Sequence, residues 1–401
     1  MKKIIITGGL GYIGMELCKI YSGKSRNYDI TVLDNQFYSE RVSQLKRWGI
    51  KFKQLDILDE DNLQKHIGNA DLIYHLAGIT DVATTKEDSD KKRDRLVRAV
   101  GIKGTKNIIK HSSDKSKIVF PSTHVVFEGL KSVKRNMDEQ AEPVPSLEYA
   151  KGKVESEKDL IASKRDFIIL RLGSVYGNSF DSTRINIMTN IFSKFTASDK
   201  EIKLYSGGNQ LKSLVSVNDV ARCMEFVGGN NEIKNEIFNC VNENLTVKQV
   251  AAICKKVNKS VQIVNTKDSV PNKGYSLSNK KIKTAGFEFL YNVEKSIEEM
   301  VGAWIDREIV TTNEEIEIGA DNFEDDRGII SNYYFDDSIN MIGYVESKKE
   351  TVRGNHYHPI QTQKCLLIKG SYISITKDLS DKNSVTETRL INEGDLSTIP
   401  P

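Results

Sequence analysis

A tyrosine and a lysine four residues apart form the pair with the clearest chemistry in this sequence. Tyr149 and Lys153 lie in a segment of good helical character, 146–163, so their side chains share one helix face. An ammonium beside a phenol lowers the pKa of the tyrosine, which favours a proton acceptor near neutral pH. The preceding predicted strand reaches Thr123, whose hydroxyl would lie at the ligand-binding edge of a sheet. We therefore predict a catalytic site in which Tyr149 and Lys153 lie beside strand-end hydroxyls such as those of Ser122 and Thr123.

A glycine-rich loop directly after the first predicted strand could hold a phosphate. The loop reads TGGLGYIG over positions 7–14 and opens a helix. Glycines at this spacing allow a tight turn and close approach of the backbone to a pyrophosphate, while the helix N-terminus offers free N–H groups to the anion. The predicted cofactor contacts in this loop are Gly8, Gly11, Tyr12, Ile13 and Gly14.

A carboxylate at the end of the second predicted strand indicates which dinucleotide binds. Asp34 follows the loop by about 20 residues, where a carboxylate can accept hydrogen bonds from the adenosine ribose and would repel a 2′-phosphate. This position favours NAD over NADP. Further cofactor contacts are predicted where the third and fourth strands end, at Asp56, Ile57, Leu76, Ala77 and Gly78.

Periodicity divides the chain into three stretches. Short β-branched runs alternate with amphipathic segments up to about residue 176, which is typical of βαβ units around a parallel sheet. The alternation loosens over about 177–305, as expected of a smaller substrate lobe. We expect an α/β domain over 1–310, built on a Rossmann-type doubly wound parallel sheet, and an all-β domain over 311–401. A strand pattern near Pro401 leads us to expect that the natural chain continues.

Composition and charge argue against several classes of protein. The 58 basic and 55 acidic residues are interspersed, so we expect no nucleic-acid partner. No apolar run approaches the roughly 18 residues of a membrane span, and the first strand follows Met1 almost directly. We therefore expect a cytoplasmic protein with no membrane partner. The five cysteines are far apart and are expected to be reduced and buried, without a zinc site.

Taken in order, these motifs resemble the extended short-chain dehydrogenase/reductases that act on nucleotide sugars, over roughly residues 1–305. Two further stretches resemble motifs of that family: RLGSVYG over 171–177 and IFN over 237–239. The resemblance implies NAD as the cofactor, a nucleotide-sugar substrate and a homodimer. It also implies that Lys153 contacts both the tyrosine and the nicotinamide ribose, while Thr123 binds the reacting oxygen.

Departures from the family pattern narrow the expected reaction. The dehydratases carry Asp-Glu directly after the catalytic threonine, where this chain has His124 and Val125, so dehydration is disfavoured. We predict a 4-epimerase working through a 4-keto intermediate in surface-polysaccharide sugar biosynthesis. One alternative is a reductase of a 4-keto sugar coupled to a cupin epimerase or isomerase. A second is an NAD-sensing or scaffold protein on the same fold.

Several residues are predicted to contact the substrate in the α/β domain. Lys212 stands where many members have an arginine that binds the nucleotide phosphate, which keeps the charge but loses the bidentate fork. Gly101 stands where the family often has a cofactor-side asparagine. His124 either contacts the substrate or satisfies a backbone carbonyl. The predicted substrate contacts in this domain are Thr123, His124, Ser174 and Lys212.

The C-terminal stretch resembles part of a cupin, or jelly-roll, domain. His356 and His358 alternate along a predicted strand and would face one site, as in the first cupin motif. Gln363 stands where a metal-binding cupin has glutamate, so we predict a metal-free sugar-binding site at the two histidines. A metal site and a purely structural pair are the alternatives. The unit also resembles the sugar 3,5-epimerases and 3,4-ketoisomerases of that superfamily.

The cofactor assignment predicts a measurable preference. NAD should bind more tightly than NADP, because the Asp34 carboxylate would lie close to a 2′-phosphate and repel it. Replacing Asp34 with alanine should narrow that preference. Titration of both cofactors into the wild type and the variant measures it, and equal binding of NAD and NADP by the wild type would contradict the assignment.

Overall fold

The computed structural model describes residues 1–24, 26–80, 91–180, 184–268, 274–310, 320–325, 328–333, 362–381 and 383–400. The chain forms two compact units, Met1–Asn340 and Met341–Pro401. The expected domain boundary at 310/311 stays a prediction, because residues 311–319 lie outside the described part of the chain.

The regular elements are numbered here in chain order. The strands are β1 (Lys2–Thr7), β2 (Tyr28–Asp34), β3 (Lys51–Gln54), β4 (Leu72–His75), β5 (Lys117–Thr123), β6 (Lys134–Met137), β7 (Asp166–Leu172), β8 (Ser174–Tyr176), β9 (Ile202–Tyr205), β10 (Leu211–Ser216), β11 (Glu236–Cys240), β12 (Glu243–Thr246), β13 (Ile263–Thr266), β14 (Tyr275–Leu277), β15 (Ala320–Asp325), β16 (Gly328–Tyr333), β17 (Gln363–Leu366), β18 (Ser371–Thr376), β19 (Glu387–Asn392) and β20 (Leu396–Ile399). The helices are α1 (Tyr12–Tyr21), α2 (Ser39–Arg47), α3 (Glu60–Ile67), α4 (Lys91–Arg98), α5 (Gly104–His111), α6 (Glu148–Ala162), α7 (Met188–Ala197), α8 (Val217–Gly229), α9 (Val247–Val257), α10 (Lys280–Thr284) and α11 (Val293–Val310), with a π-helical turn at Ala99–Lys103.

Seven parallel strands form the central sheet, in the order β11-β7-β5-β4-β1-β2-β3. Successive side chains of a strand point to opposite faces. Ile4 and Ile6 accordingly lie in one buried cluster, and Ile5 lies in another. Both faces of the sheet are covered, which confirms the expected doubly wound parallel sheet.

The stretch expected to form a smaller lobe has its own sheets and core. Strands β12, β10 and β8 form one sheet, while β13 pairs with β9 and β14 with β6. A separate cluster of buried residues includes Tyr176, Leu214, Val250 and Ile297. These residues come from β8, β10, α9 and α11, so the lobe is held together by its own apolar core.

Beyond residue 319, the described regular elements are all strands. They pair antiparallel as β15 with β16, β17 with β20 and β18 with β19. This agrees with an all-β stretch, and the jelly-roll topology stays a prediction. One expectation needs correction: Cys365 in β17 is only partly buried, unlike the other four cysteines, because among the described residues β17 has a paired strand, β20, on one edge only. Within the described ranges, no helix has the length and apolar character needed to cross a bilayer.

A buried ion pair joins helix α6 to the central sheet. Arg171 in β7 donates from Nε and Nη2 to the two carboxylate oxygens of Glu157, at 3.2 and 2.9 Å. Both side chains are 4% exposed. The Ser122 hydroxyl of β5 also donates to Glu157. Bidentate geometry and the added hydrogen bond compensate the cost of burying two charges.

This pair predicts a large stability effect. Replacing Glu157 with alanine leaves the Arg171 guanidinium buried without its carboxylate, which typically costs about 3–5 kcal/mol. Urea unfolding monitored by circular dichroism should measure that loss in the free energy of unfolding. The double variant Glu157→Leu, Arg171→Met removes both charges and should recover part of it. A single variant within about 1 kcal/mol of the wild type, far below that range, would show that the pair contributes little.

Candidate active site

The glycine loop lies at the carboxyl edge of the sheet, where β1 and β4 meet. Sequential strands leave in opposite directions on either side of this point, which is where ligands bind in doubly wound sheets. Gly8 has φ +66°, and a Cβ there would lie 2.6 Å from the Ala77 nitrogen. Only glycine fits this close approach. Gly11 is the N-cap of α1, and Gly14 lies against Gly9 in the first turn.

The first turn of α1 offers backbone donors rather than side chains. The first N–H groups of a helix have no partner within it and favour an anion. The Tyr12 hydroxyl instead donates to the Gly177 carbonyl at 2.6 Å, so this side chain fastens the loop to the turn after β8. The predicted contacts of Tyr12 and Ile13 with a pyrophosphate are therefore assigned to their backbone.

The carboxylate of Asp34 lies at the end of β2, beside the glycine loop. It accepts hydrogen bonds from the backbone N–H groups of Leu10 and Gln36, both at 3.0 Å. Burial raises its pKa, and these two bonds together with the nearby Arg41 charge counteract that shift. The arrangement places an anionic acceptor where the sequence predicts the adenosine ribose.

Two of the predicted cofactor contacts have different surroundings. Asp56 is exposed, and its carboxylate accepts a hydrogen bond from the Leu58 backbone at 2.9 Å. Ile57 is 4% exposed, its side chain lies in the core, and its carbonyl accepts a bond from Asn107 at 2.9 Å. Asp56 thus keeps solvent access for a ligand, whereas Ile57 mainly supports the loop.

A buried histidine connects the glycine loop to the π-helical turn. His75 Nδ1 lies 2.9 Å from the Thr7 hydroxyl, and its Nε2 lies 3.1 Å from the Thr105 hydroxyl. The Thr105 hydroxyl donates to the Gly101 carbonyl at 2.6 Å. The same carbonyl accepts from the Ser156 hydroxyl of α6 at 3.1 Å. Burial, with the nearby Lys153 charge, lowers the pKa of His75 to about 3. A neutral His75 therefore links three parts of the site.

The predicted catalytic residues meet at the carboxyl end of β5. Lys153 Nζ donates to the Pro121 carbonyl at 2.7 Å and lies 4.3 Å from the centre of the Phe120 ring. Burial raises the pKa of Tyr149, an effect partly offset by the Arg184 charge and by a hydrogen bond with Thr123. Thr123 is 8% exposed and also accepts from the Val125 backbone at 3.1 Å. The three side chains form one cluster.

A cleft joins this cluster to the fourth strand. The residues around it are Ala77, Gly78, Ile79, Val97, Gly101, Thr105, Phe120, Tyr149, Gly152 and Lys153. Predicted cofactor and catalytic residues therefore share one cavity. Leu76 packs against the core beside it. A Cβ added at Gly101 would meet no atom within 4 Å, so this position leaves open space in the cleft.

Helix α6 begins at a carboxylate that sequence analysis did not single out. Glu128 Oε1 accepts from the backbone N–H groups of Ser146 and Leu147, both at 2.7 Å. An anion at a helix N-terminus stabilises the helix. The residues that set the start of the catalytic helix are 18 and 19 positions from Glu128, and no local pattern connects them.

The predicted substrate contacts lie on β8, on β10 and directly after Thr123. Ser174 is the first residue of β8, and it pairs with Leu214 of the parallel strand β10. Lys212 in β10 is partly buried, and burial lowers its pKa. His124 follows Thr123 directly, and its pKa is lowered to about 3 by burial and by the Lys212 charge. The Lys212 charge therefore acts on the His124 ring.

Sequence analysis missed Arg184. Its Nη2 donates to the Thr80 carbonyl at 2.9 Å, and its charge acts on Tyr149. The sequence around Arg184 has no readable pattern, so only the structure identifies this residue. The predicted pair His356 and His358 lies outside the described residues.

The α/β domain is similar to known proteins. Residues 4–240 match the NAD dependent epimerase/dehydratase family. The chain is 26% identical to the dTDP-L-rhamnose 4-epimerase of Burkholderia thailandensis, over 55% of this chain and 71% of that protein. It is 24% identical to the dTDP-D-glucose 4,6-dehydratase of Dictyostelium discoideum, over 59% of this chain and 57% of that protein. It also resembles the UDP-glucuronic acid 4-epimerase of Bacillus cereus, solved with UDP-glucuronic acid and NAD: TM-score 0.64, 21% identity, 76% of this chain and 99% of that one.

The charge state of Lys153 predicts a pH effect on stability. Burial lowers its pKa to about 8, more than the Glu157 carboxylate raises it, whereas an unfolded lysine titrates near 10.4. Between these values the unfolded chain binds more protons, so the contribution of Lys153 to stability increases as pH rises. The free energy of unfolding of the wild type, relative to that of Lys153→Met, should therefore increase between about pH 8 and about pH 10.4.

Urea unfolding of both NAD-free proteins over this pH range measures the shift. Lys151→Met is the matched control, because Lys151 is an exposed lysine of the same helix. A difference between wild type and Lys153→Met that stays constant with pH would contradict the lowered pKa.

Proposed function

This chain belongs to the NAD dependent epimerase/dehydratase family, and on that premise we propose that it is a nucleotide-sugar 4-epimerase. The observation that carries the proposal is the cleft in which Tyr149 and Lys153 meet the cofactor-side residues Ala77 and Gly78, with Thr123 hydrogen-bonded to Tyr149. A hydroxyl-bearing sugar carbon placed there would have a proton acceptor and a cofactor within reach at once.

NAD is the cofactor, and the described residues fit it. Gly8 keeps the backbone close to Ala77, α1 presents its N-terminus, and Asp34 presents an acceptor for ribose hydroxyls. Lys153 would hold the nicotinamide ribose from the floor of the cleft. When bound, NAD supplies a reversible hydride acceptor, and the protein supplies position and proton transfer.

Proton transfer at the sugar oxygen falls to the catalytic cluster. Tyr149 would accept the proton of the 4-hydroxyl and later return it to the 4-keto oxygen. Thr123 would hydrogen-bond the same oxygen. The Lys153 ammonium would stabilise the tyrosinate, and its donation to the Pro121 carbonyl keeps it in place. Epimerisation needs the keto sugar to present its other face before the hydride returns.

His124 and Val125 favour epimerisation over dehydration. Elimination of water needs an acid and a base beside the sugar, and the structure has a neutral imidazole and an apolar side chain at these two positions. A 4-keto-sugar reductase remains the second candidate, and the two differ in whether added NADH is consumed. The relatives act on different sugars, so the nucleotide and the sugar are left to experiment.

Finer features expected from sequence remain proposals. We propose that the C-terminal strands belong to a cupin-like unit with a metal-free sugar-binding site at His356 and His358. A homodimer in the cytoplasm that serves surface-polysaccharide synthesis fits the family resemblance. The pairing of β17 with β20 and of β18 with β19 supports an all-β unit.

The proposal predicts a large loss of turnover in Tyr149→Phe. The substitution removes the proton acceptor and little volume, so the variant should fold and retain NAD. Loss of one positioned general base typically costs about 10²–10⁴-fold in rate. Incubation with UDP-, GDP-, dTDP- and CDP-sugars, with products resolved by NMR, identifies the substrate and measures turnover.

Tyr205→Phe is the matched control, because this tyrosine is 49% exposed on β9. The control should turn over as the wild type does. Tyr149→Phe turnover above about a tenth of wild type would contradict tyrosine as the base. Oxidation of added NADH that occurs only with a 4-keto nucleotide sugar would favour the reductase.

A further inference from the structure

Tyr275 and His124 form a hydrogen-bonded pair beside the catalytic threonine. The Tyr275 hydroxyl donates to the His124 carbonyl at 2.8 Å and lies 3.0 Å from His124 Nδ1. The two rings are 5.7 Å apart. The residues are 151 positions apart in the chain, so this pair exists only in the folded protein.

A close backbone approach brings Tyr275 to this position. Gly274 has φ +93° and forms a parallel bridge with Leu211. A Cβ at Gly274 would lie 2.2 Å from the Leu211 nitrogen, so only glycine is tolerated there. The next residues along the two strands are Tyr275 and Lys212. The bridge therefore places a tyrosine, a lysine and His124 in one cluster.

The hydrogen bonds determine which nitrogen of His124 carries the proton. A tyrosine hydroxyl has one hydrogen, and here it is directed at the His124 carbonyl. The hydroxyl oxygen must then accept from Nδ1–H. Burial and the Lys212 charge lower the pKa of His124 to about 3, so the ring is neutral at pH 7. Nε2 consequently has a lone pair and accepts a hydrogen bond.

Neither His124 Nε2 nor the Lys212 ammonium has a hydrogen-bond partner within the described part of the chain. The hydrogen bonds of the His124 side chain and carbonyl there are those with Tyr275, and no residue within the described ranges forms a hydrogen bond or ion pair with the Lys212 ammonium. An acceptor and a cationic donor thus lie close together beside Thr123. A diphosphate offers only acceptors near neutral pH, so it can satisfy the ammonium but not the imidazole.

We propose that Tyr275 holds His124 as the acceptor for a hydroxyl group on the sugar ring of the substrate, with Lys212 as the adjacent cationic donor. The assignment rests on the proposed nucleotide-sugar substrate. The hydroxyl belongs to the sugar rather than to the nucleoside, because His124 directly follows the catalytic Thr123, at the reacting end of the ligand. Tyr275 is a positioning residue, since it acts through His124.

Nitrogen NMR of the NAD-bound protein tests the tautomer without any substrate. The chain has six histidines, and His124→Gln assigns the signals of His124. The wild type should show the Nδ1–H tautomer. Tyr275→Phe removes the acceptor for that proton and should populate the Nε2–H tautomer. An Nε2–H signal in the wild type, or an unchanged pattern in Tyr275→Phe, would overturn the proposal.

Calorimetry with paired variants tests the ligand contact. The probes are the tightest-binding of UDP-, GDP-, dTDP- and CDP-glucose and its nucleoside diphosphate alone. Asparagine can replace the Nδ1 donor but leaves no atom at the position of Nε2. His124→Asn should therefore lower the affinity for the glucose nucleotide by about 3–10-fold and leave the affinity for the nucleoside diphosphate unchanged. Glutamine can place an oxygen near Nε2, so His124→Gln should retain most of the affinity.

Lys212→Met should lower the affinity for both probes, because the ammonium would also attract phosphate. If His124→Asn lowers the affinity for both probes equally, the contact is with the nucleotide and the sugar assignment is overturned. An unchanged affinity for both probes would overturn it too. Neither experiment needs turnover. Absence of an epimer in the product assay would therefore contradict the proposed function, while the tautomer and the affinities still decide the role of His124. If none of the four glucose nucleotides binds, the ligand role of Nε2 is contradicted too.

Discussion

The buried pair of Arg171 and Glu157 determines where the catalytic helix lies. Glu157 is one turn beyond Lys153 on α6, and its carboxylate is bonded to β7 through Arg171 and to β5 through Ser122. A helix held at two oxygens cannot slide or rotate without leaving a charge buried and unpaired. At the N-terminus of α6, the Glu128 carboxylate accepts a hydrogen bond from the Leu147 backbone. The positions of Tyr149 and Lys153 relative to the sheet edge depend on these contacts.

Burial then sets the protonation states in the site. The low dielectric of the interior disfavours charged forms, so the pKa of Tyr149 is raised while the pKa values of Lys153 and His75 are lowered. Without a cofactor, the phenol is therefore a poor base. A positive charge delivered next to Tyr149 would reverse that balance. In the proposed reaction, cofactor binding and proton transfer are thus coupled through electrostatics, and the predicted cofactor and catalytic residues also share one cavity.

The two parts of the α/β domain contribute different functions to one cleft. The central sheet supplies the cofactor loop, the neutral His75 link and the end of β5. The strands of the smaller lobe supply Lys212 and Tyr275, and Tyr12 fastens the glycine loop to the turn at Gly177. The proposed catalytic residues thus lie at the end of β5 and on helix α6, whereas Lys212 and Tyr275, which we propose to act in substrate recognition, lie on strands of the smaller lobe.

The sequence by itself determined the features that depend on local spacing. The glycine loop, Asp34 and the Tyr149–Lys153 pair could be predicted, because carboxyl ends of parallel strands share one edge and residues four apart share one helix face. The direction of individual side chains was not predictable: Tyr12 bonds to Gly177, and Ile57 lies in the core.

Only the tertiary structure decided which distant residues meet. Arg184 reaches Thr80 across 104 positions, and Tyr275 reaches His124 across 151. Periodicity records which face of an element is apolar, but it does not record which loop packs against that face. Those contacts depend on the close packing of whole elements, including one backbone approach that only Gly274 allows.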